Sequence, residues 1–155
     1  MIQLKVEAVA LDWRGYPVVV LRENGGERAV FIWVGPTEAT SISMHLEGQT
    51  VRRPMTHDLM LTALNSVSAR VDCIIITDMQ EETYFADLKL NLNDREIVLD
   101  CRPSDAIAIA LRADAPIYID NSLLERLEES RRETESDLPS SPLSTIIDTG
   151  ETTVH

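Results

Sequence analysis

The sequence contains little cysteine, the residue on which many zinc sites depend. Two cysteines, Cys73 and Cys101, occur among 155 residues, and both lie in apolar, strand-like runs. They form no Cys-x-x-Cys pattern, so we predict two reduced core thiols rather than a zinc site, and these fit a reducing cytoplasm. No apolar run reaches the roughly 18 residues that span a bilayer, and the first residues lack the features of a signal peptide. We therefore expect a soluble, cytoplasmic protein that does not enter a membrane.

Basic residues are also scarce. The chain has 14 lysines and arginines against 26 acids, a net charge of −12. Its surface therefore repels phosphate on average, which excludes nonspecific nucleic-acid binding through a broad basic face. An enzyme that acts on nucleic acid would need a local arginine cluster or a divalent metal ion. The P-loop, G-x-G-x-x-G, H-E-x-x-H and G-x-S-x-G patterns are absent, which disfavours nucleotide-dependent, zinc-protease and hydrolase-elbow chemistry.

What the chain does contain is a regular succession of strand and helix signals. β-rich runs, separated by turn residues such as the NGG at 24–26, predict six strands, at 2–11, 16–23, 28–34, 70–79, 83–91 and 95–101. Prolines, first-turn acids and apolar periodicity predict helices that begin at Pro36 and Pro103, with another over 56–67. A short strand within "ADAPIYID" and an amphipathic helix from Asn121 to about Glu133 follow.

Two segments of the chain match when one is shifted by 67 positions without a gap. Pro36 then falls on Pro103, and Glu38 falls on Asp105, directly after a third strand in both cases. Apolar strand positions coincide as well. The match predicts two β3-α repeats, at about 2–48 and 69–115, joined by the helix at about 56–67.

Burial determines how such repeats can pack. A three-stranded sheet has one apolar face and is marginal alone, and the run AIAIAL at 106–111 has no polar face, so its helix must be buried. We therefore predict an α+β fold of duplicated β3-α repeats, in which two antiparallel sheets sandwich the helices as β/α/β layers. The domain is predicted to span 1–127, followed by an acidic, Ser/Thr/Pro-rich and flexible tail at 128–155.

Four segments carry a family resemblance. The stretches VFIWVGPTEATSI, RRPMTHDL, ITD…TYFADL and DCRPSDAIAIALRADAPIYI occur in this order along about 2–127. Together they resemble the bifunctional nuclease family. The resemblance implies a duplicated β3-α fold, a homo-oligomer (a dimer or larger), and nuclease activity on DNA and RNA. It implies no catalytic mechanism.

An Arg-Pro pair precedes an apolar helix twice, at Arg53 and at Arg102. Helix capping and the helix dipole explain a hydroxyl residue and an acid at each start, namely Thr56 with Asp58 and Ser104 with Asp105. They do not explain four further residues: Arg53, His57, Asp100 and Arg102. We therefore expect the start of the 56–67 helix to lie near the turn at 100–105.

These residues form the predicted site. The catalytic candidates are His57, Asp58, Asp100 and Asp105, because imidazole and carboxylate groups exchange protons near neutral pH. The substrate-binding candidates are Arg53, Arg102 and Ser104, beside helix N-termini that favour phosphate. The metal-binding candidates are Asp58, Asp100 and Asp105, whose carboxylates could hold Mg²⁺ or Mn²⁺ to polarise a phosphodiester.

Two interpretations remain open at this stage. The first is a metal-assisted, nuclease-like protein that hydrolyses DNA or RNA phosphodiesters. The second is a non-catalytic homo-oligomeric interaction or regulatory module, in which the same charges form a buried ion-pair cluster between the two halves or between two subunits. In the second case His57 is a hydrogen-bonded structural histidine, and each acid is satisfied locally.

Overall fold

The structure, a computed structural model of the chain, describes residues 1–136. Within these residues the chain forms seven strands and four helices, which together make an α+β fold. In chain order they are β1 (Ile2–Leu11), β2 (Pro17–Glu23), β3 (Ala29–Trp33), α1 (Pro36–Leu46), α2 (Thr56–Ser66), β4 (Ala69–Gln80), β5 (Thr83–Leu92), β6 (Arg95–Cys101), α3 (Pro103–Ala113), β7 (Ile117–Ile119) and α4 (Asn121–Ser136). The six long strands and the helices match the predicted segments to within three residues at each end.

The strands form one sheet, in the order β3-β2-β1-β7-β4-β5-β6. The two predicted antiparallel sheets are therefore not separate. The short strand β7 lies between them, antiparallel to β1 and parallel to β4. It pairs with residues 2–4 of β1 and 74–76 of β4, and so supplies hydrogen-bond partners to that part of both inner edges. β7 is thus paired on both sides within the chain.

The order of three strands and a helix occurs twice. Pro36 is the first residue of α1, and Pro103 is the first residue of α3. The fixed φ of proline suits this position, where its missing N–H removes no helical hydrogen bond. The predicted equivalence of the two helix starts thus holds at the level of element order. That the two units are copies of one ancestral unit stays a prediction.

Tight turns connect the three strands of the second antiparallel unit, β4 to β6. Asn93 and Asp94 both have positive φ, at 52° and 61°, and so join β5 to β6 by a two-residue turn. Glu81 and Glu82 do the same between β4 and β5, at 48° and 64°. Two left-handed residues give the turn a twist that matches the strands it connects.

Helix α3 lies at the centre of the core. Its residues from Ala106 to Ala110 are at most 2% exposed, and five consecutive helical residues point in all directions around the axis. Helices α1 and α2 and strands β4 and β5 pack around it. The prediction of a fully buried helix from its apolar run is confirmed.

Helix α4 closes the described part of the chain. Leu123 and Leu124 are fully buried at its start. The helix continues to Ser136, so the predicted domain boundary at 127 falls inside it. The remainder of the predicted tail, from 137 onward, lies outside the described residues. None of the helices within residues 1–136 is long and apolar enough to cross a membrane.

Candidate functional site

The starts of α2 and α3 differ in detail from the sequence prediction. Met55, not Thr56, is the cap residue of α2, and its N–H donates to Oδ2 of Asp58 at 3.0 Å. Arg102 is the cap residue of α3, and no side chain caps that helix start. The capping roles predicted for Thr56 and Ser104 are therefore wrong, whereas the one predicted for Asp58 is confirmed.

His57 joins the two helix starts. Its Nε2 lies 2.9 Å from Oδ1 of Asp105, and its Nδ1 lies 2.7 Å from Oγ of Ser41, on α1. The imidazole is 7% exposed, so these bonds replace its contacts with water. An ionised carboxylate only accepts hydrogen bonds, so Nε2 carries the proton that Asp105 accepts. In neutral histidine Nδ1 then accepts the hydroxyl hydrogen of Ser41.

Arg102 ties the start of α3 to the start of α1. Its Nε donates to Oδ2 of Asp105 at 2.8 Å, and its Nη2 donates to Oε1 of Glu38 at 2.9 Å. The side chain is 66% exposed. A guanidinium has five N–H groups, and these two bonds use two of them. Arg102 is thus held by two carboxylates while other donors stay available to a ligand.

The carboxylate of Asp105 is ionised at neutral pH. Burial raises its pKa, but the hydrogen bonds from Arg102 and His57, together with their charges, lower it further than burial raises it. Asp105 is therefore an anion with a cationic group on one oxygen and an imidazole N–H on the other. Its side chain remains 29% exposed.

Asp58 pairs with a different residue, Arg112. Its Oδ1 accepts from Nε of Arg112 at 2.6 Å, and this bond, with the N–H of Met55, lowers the pKa of Asp58. The Arg112 side chain, on α3, is 9% exposed. It also donates to the carbonyl oxygens of Ala108 and Ser41. Asp58 therefore fixes α2 against α3 and, through Arg112, against α1.

Through Ser41 these contacts join into one set that links α1, α2 and α3. We call it the helix-start network, and its members are Glu38, Ser41, His57, Asp58, Arg102, Asp105 and Arg112. The expectation that the start of α2 lies near the turn at 100–105 is met by the bond between His57 and Asp105.

Three predicted site residues lie outside this network: Arg53, Asp100 and Ser104, the last of which is buried in the first turn of α3. Asp100 is exposed on the edge strand β6, where it pairs in register with Asp87. Arg53 is exposed in the loop before α2 and forms no hydrogen bond or ion pair with the part of the chain that the structure describes. A helix start and a strand edge place their side chains differently, which the sequence spacing could not show.

The predicted metal ligands are not brought together. The oxygens of Asp58 and Asp105 already accept hydrogen bonds from arginine and histidine, and Asp100 lies on the exposed edge strand β6. Across residues 1–136, no group of three or more His, Cys, Asp or Glu side chains is placed to hold a metal ion. As they are positioned here, the three aspartates do not fit a shared divalent ion.

A cleft of about 270 Å³ opens where α1 and α3 begin. We call it the helix-start cleft. Arg102 and Ser104 line it from α3, Gly35 from the residue before α1, Trp33 from the end of β3 and Tyr84 from β5. Two of the predicted substrate-binding residues thus face one opening, and Asp105 is bound to one of them.

Sequence reasoning missed three members of the network. Ser41 and Arg112 were not among the candidates, and Glu38 was interpreted only as an acid in a first turn. A signal for Ser41 was present: it is a hydroxyl residue at the position that Ala108 occupies in the second repeat. Its burial, at 3% exposure, shows that this polar residue belongs to the core. We find no comparable sequence signal for Arg112.

Comparisons with known proteins agree with the resemblance. A family model described as "Bifunctional nuclease domain" matches residues 19–132. An uncharacterized protein of Mycobacterium tuberculosis is 41% identical over 108 residues, which cover 70% of this chain and 64% of that protein. Bifunctional nuclease 2 of Oryza sativa subsp. japonica is 30% identical over 111 residues, covering 69% of this chain and 34% of that protein.

A third relative, Bifunctional nuclease 1 of Arabidopsis thaliana, is 29% identical over 116 residues, covering 72% of this chain and 36% of that protein. The chain spans less than two thirds of the length of each of these three relatives. The family match nevertheless includes all four predicted catalytic residues and extends from β2 into α4. The chain therefore belongs to the bifunctional nuclease domain family.

Proposed function

We propose that this chain hydrolyses phosphodiester bonds of DNA or RNA at the helix-start cleft. One observation carries the proposal: an exposed arginine, Arg102, is held at the cleft by the ionised carboxylate of Asp105, which His57 holds in turn. A cation for phosphate and a carboxylate for water thus lie side by side. The nuclease names of two relatives agree with this chemistry.

Three residues would each have a separate role in the reaction. Arg102 binds the phosphate oxygens through N–H groups that Asp105 and Glu38 do not use. Asp105 orients a water molecule and accepts its proton as the water oxygen attacks phosphorus. The bond from phosphorus to the leaving oxygen breaks, and that oxygen takes a proton from solvent. His57, both of whose nitrogens are engaged, positions Asp105.

Two variants with the same chemical change test the proposal. Asp105→Asn removes the charge that pairs with Arg102 beside the cleft, whereas Asp100→Asn removes a charge from an exposed strand outside the network. Labelled DNA and RNA oligonucleotides and bis(p-nitrophenyl) phosphate serve as substrates. We expect Asp105→Asn to lose at least about 100-fold in rate, the usual contribution of a general base, and Asp100→Asn to match the parent. Equal rates in all three proteins would contradict the proposal.

The need for a divalent cation stays a prediction, since the aspartates do not form a shared site. A titration with EDTA followed by Mg²⁺ or Mn²⁺ tests it on the same substrates. Loss of hydrolysis with EDTA and recovery with one of these ions would support it. A cytoplasmic location stays a prediction as well, and cell fractionation tests it.

The alternative function, a homo-oligomeric interaction module, rests on a different observation. Strands β3 and β6 are the edges of the sheet, and each pairs with one neighbour only. On β6, Val98 and Leu99 are 47% and 43% exposed. An exposed apolar edge invites pairing with another chain. We propose a homodimer at least, formed through β6, which light scattering at tens of micromolar would detect and Val98→Lys would weaken.

A further inference from the structure

A group of exposed aromatic residues lies at the turn between β1 and β2. The Trp13 side chain is 92% exposed, and Tyr16 is 57% exposed. The Arg14 guanidinium carbon lies 5.6 Å from the centroid of the Trp13 ring and 4.9 Å from that of Tyr16. Exposed rings of this size are unusual in a chain with 5% aromatics, because apolar rings gain most from burial.

Asp12 holds this group in one arrangement. Its carboxylate accepts the backbone N–H groups of Arg14 and Tyr16, both at 2.9 Å, and the guanidinium of Arg14. It also accepts the indole N–H of Trp33 at 3.0 Å, from β3. Four groups, three from the turn and one from β3, thus converge on a single side chain. The rings are preorganised, so a ligand would not have to order them on binding.

Trp33 connects this turn to the helix-start cleft. Its indole bonds to Asp12 on one side, and its side chain lines the cleft together with Arg102. It is 54% exposed. We call Trp13, Arg14, Tyr16 and Trp33 the aromatic tip. It contains both tryptophans of the chain, and it leads from the surface of the molecule to the cleft.

We propose that the aromatic tip is a stacking platform for the unpaired bases of single-stranded nucleic acid whose phosphate reaches Arg102 in the helix-start cleft. The proposal deepens the nuclease function and rests on it. Every base has a π-face that stacks on Trp or Tyr regardless of sequence, and Arg adds a cation–π contact. In a duplex these faces are covered by neighbouring bases, so the platform selects single strands.

The charges of the tip determine how tightly it should bind nucleic acid and how strongly that binding should depend on salt. The guanidinium of Arg14 is paired with Asp12, so the tip is close to neutral. The chain as a whole carries −12. Phosphate attraction is therefore weak here, and stacking has to supply most of the affinity. We expect modest binding with a shallow dependence on salt, in contrast to proteins that bind nucleic acid through a basic face.

The test measures binding separately from hydrolysis. The probe is a fluorescein-labelled, hydrolysis-resistant phosphorothioate dT12, followed by anisotropy, and the label-free form is followed by tryptophan fluorescence. Trp13→Ala should weaken binding by about 5- to 150-fold, the effect of one lost base stack. Arg14→Gln should weaken it too. Arg70→Gln is the matched control, because Arg70 pairs with Asp72 at the same spacing but carries no ring contact.

Several results would overturn the platform. Binding of dT12 that is unchanged in Trp13→Ala would do so, as would equal binding of dT12 and a dT12–dA12 duplex. A Trp13→Ala protein that binds dT12 normally but changes from dimer to monomer would identify the tip as a self-association surface instead.

The two proposals can fail separately. Trp13→Ala should hydrolyse bis(p-nitrophenyl) phosphate with the parental kcat, because Trp13 does not line the cleft where the bond breaks. Stacking of the nitrophenyl rings on Trp13 would change KM alone. Hydrolysis of this diester without dT12 binding contradicts the platform alone. Binding of dT12 that depends on Trp13, without hydrolysis of any diester, supports the platform and contradicts the nuclease proposal.

Discussion

The imidazole Nε2 of His57 lies 2.9 Å from Oδ1 of Asp105, although 48 positions separate the two residues in the chain. The contact joins the start of α2 to the start of α3. It converts two separately well-formed helix starts into one site, because the same carboxylate also accepts from Arg102. His57 therefore acts on any chemistry at the cleft through Asp105.

This relationship predicts a specific kinetic effect of His57→Ala. Asp105 loses one of its two fixed partners, while Arg102 stays in place to bind phosphate. We expect kcat to fall about 10- to 100-fold, as for other residues that orient a reacting group, with KM changed less than about 2-fold. Steady-state kinetics on bis(p-nitrophenyl) phosphate measures both. A rise in KM with unchanged kcat would mean that His57 contributes to binding instead.

Ser41→Ala should destabilise the fold. The hydroxyl is 3% exposed and contacts Nδ1 of His57, so its removal leaves a buried ring nitrogen without a partner. The expected loss is about 1–3 kcal/mol in the free energy of unfolding, measured by urea denaturation. Ser43→Ala, on the same helix, is the control and should change it by less than about 0.5 kcal/mol. Equal effects of the two variants would contradict a role for the Ser41 contact.

Arg112→Met should be more costly than loss of an exposed arginine. Arg112 satisfies Asp58 and two carbonyl oxygens from a side chain that is 9% exposed. We expect a loss of about 2–3 kcal/mol, below the value for a fully buried pair because Asp58 is partly solvated. The control is Arg22→Met, which breaks the exposed pair with Glu7 and should cost less than about 1 kcal/mol. Similar midpoints for both variants in urea would contradict this ranking.

Two carboxylates with strongly lowered pKa values, Asp12 and Asp78, contribute to the pH dependence of stability. Burial raises the pKa of Asp12, but hydrogen bonds from Tyr16, Trp33 and Arg14 bring it to about 2. Bonds from Gln80, Arg126 and the N–H of Met79 bring the pKa of Asp78 to about 2. Both values lie below the usual 3.8, so folding favours the ionised forms. Their stabilising effect is complete above about pH 4 and is lost as the pH falls towards 2.

Thermal unfolding between pH 7 and pH 2 checks this expectation. The melting temperature should fall mainly below about pH 4. Asp12→Asn should show a smaller fall, because the stabilisation from the ionised Asp12 carboxylate is already absent. A melting temperature that stays constant from pH 4 to pH 2 would contradict it.

The cysteines should be unreactive in the folded protein. Burial, with the charge of Asp100, raises the pKa of Cys101 to about 11, and burial also raises the pKa of Cys73. A thiol with a raised pKa stays protonated, and the protonated form is not the nucleophile. We expect slow alkylation by iodoacetamide at pH 8, rising steeply in urea. Fast labelling of Cys101 without denaturant, followed by mass spectrometry, would show that its strand opens.

The local structure of this chain was determined by its sequence. Alternating apolar residues, turn residues and prolines before helices depend on neighbours within a few positions, and they placed six strands and four helices. The apolar run at 106–111 also required burial of its helix on every side, because no face of it is polar. Family membership followed from the same ordered stretches.

The arrangement of these elements was decided only by the tertiary structure. β7 joins the halves into one sheet because it is the partner for two inner edges, and no local pattern states which edges it meets. The same holds for the site. His57 and Asp105 converge as expected, but Asp58 pairs with Arg112, Asp100 remains on an exposed strand, and Ser41 is drawn into the core. The partner of a charged side chain depends on distances between packed helices. The spacing of residues along the chain does not specify these distances.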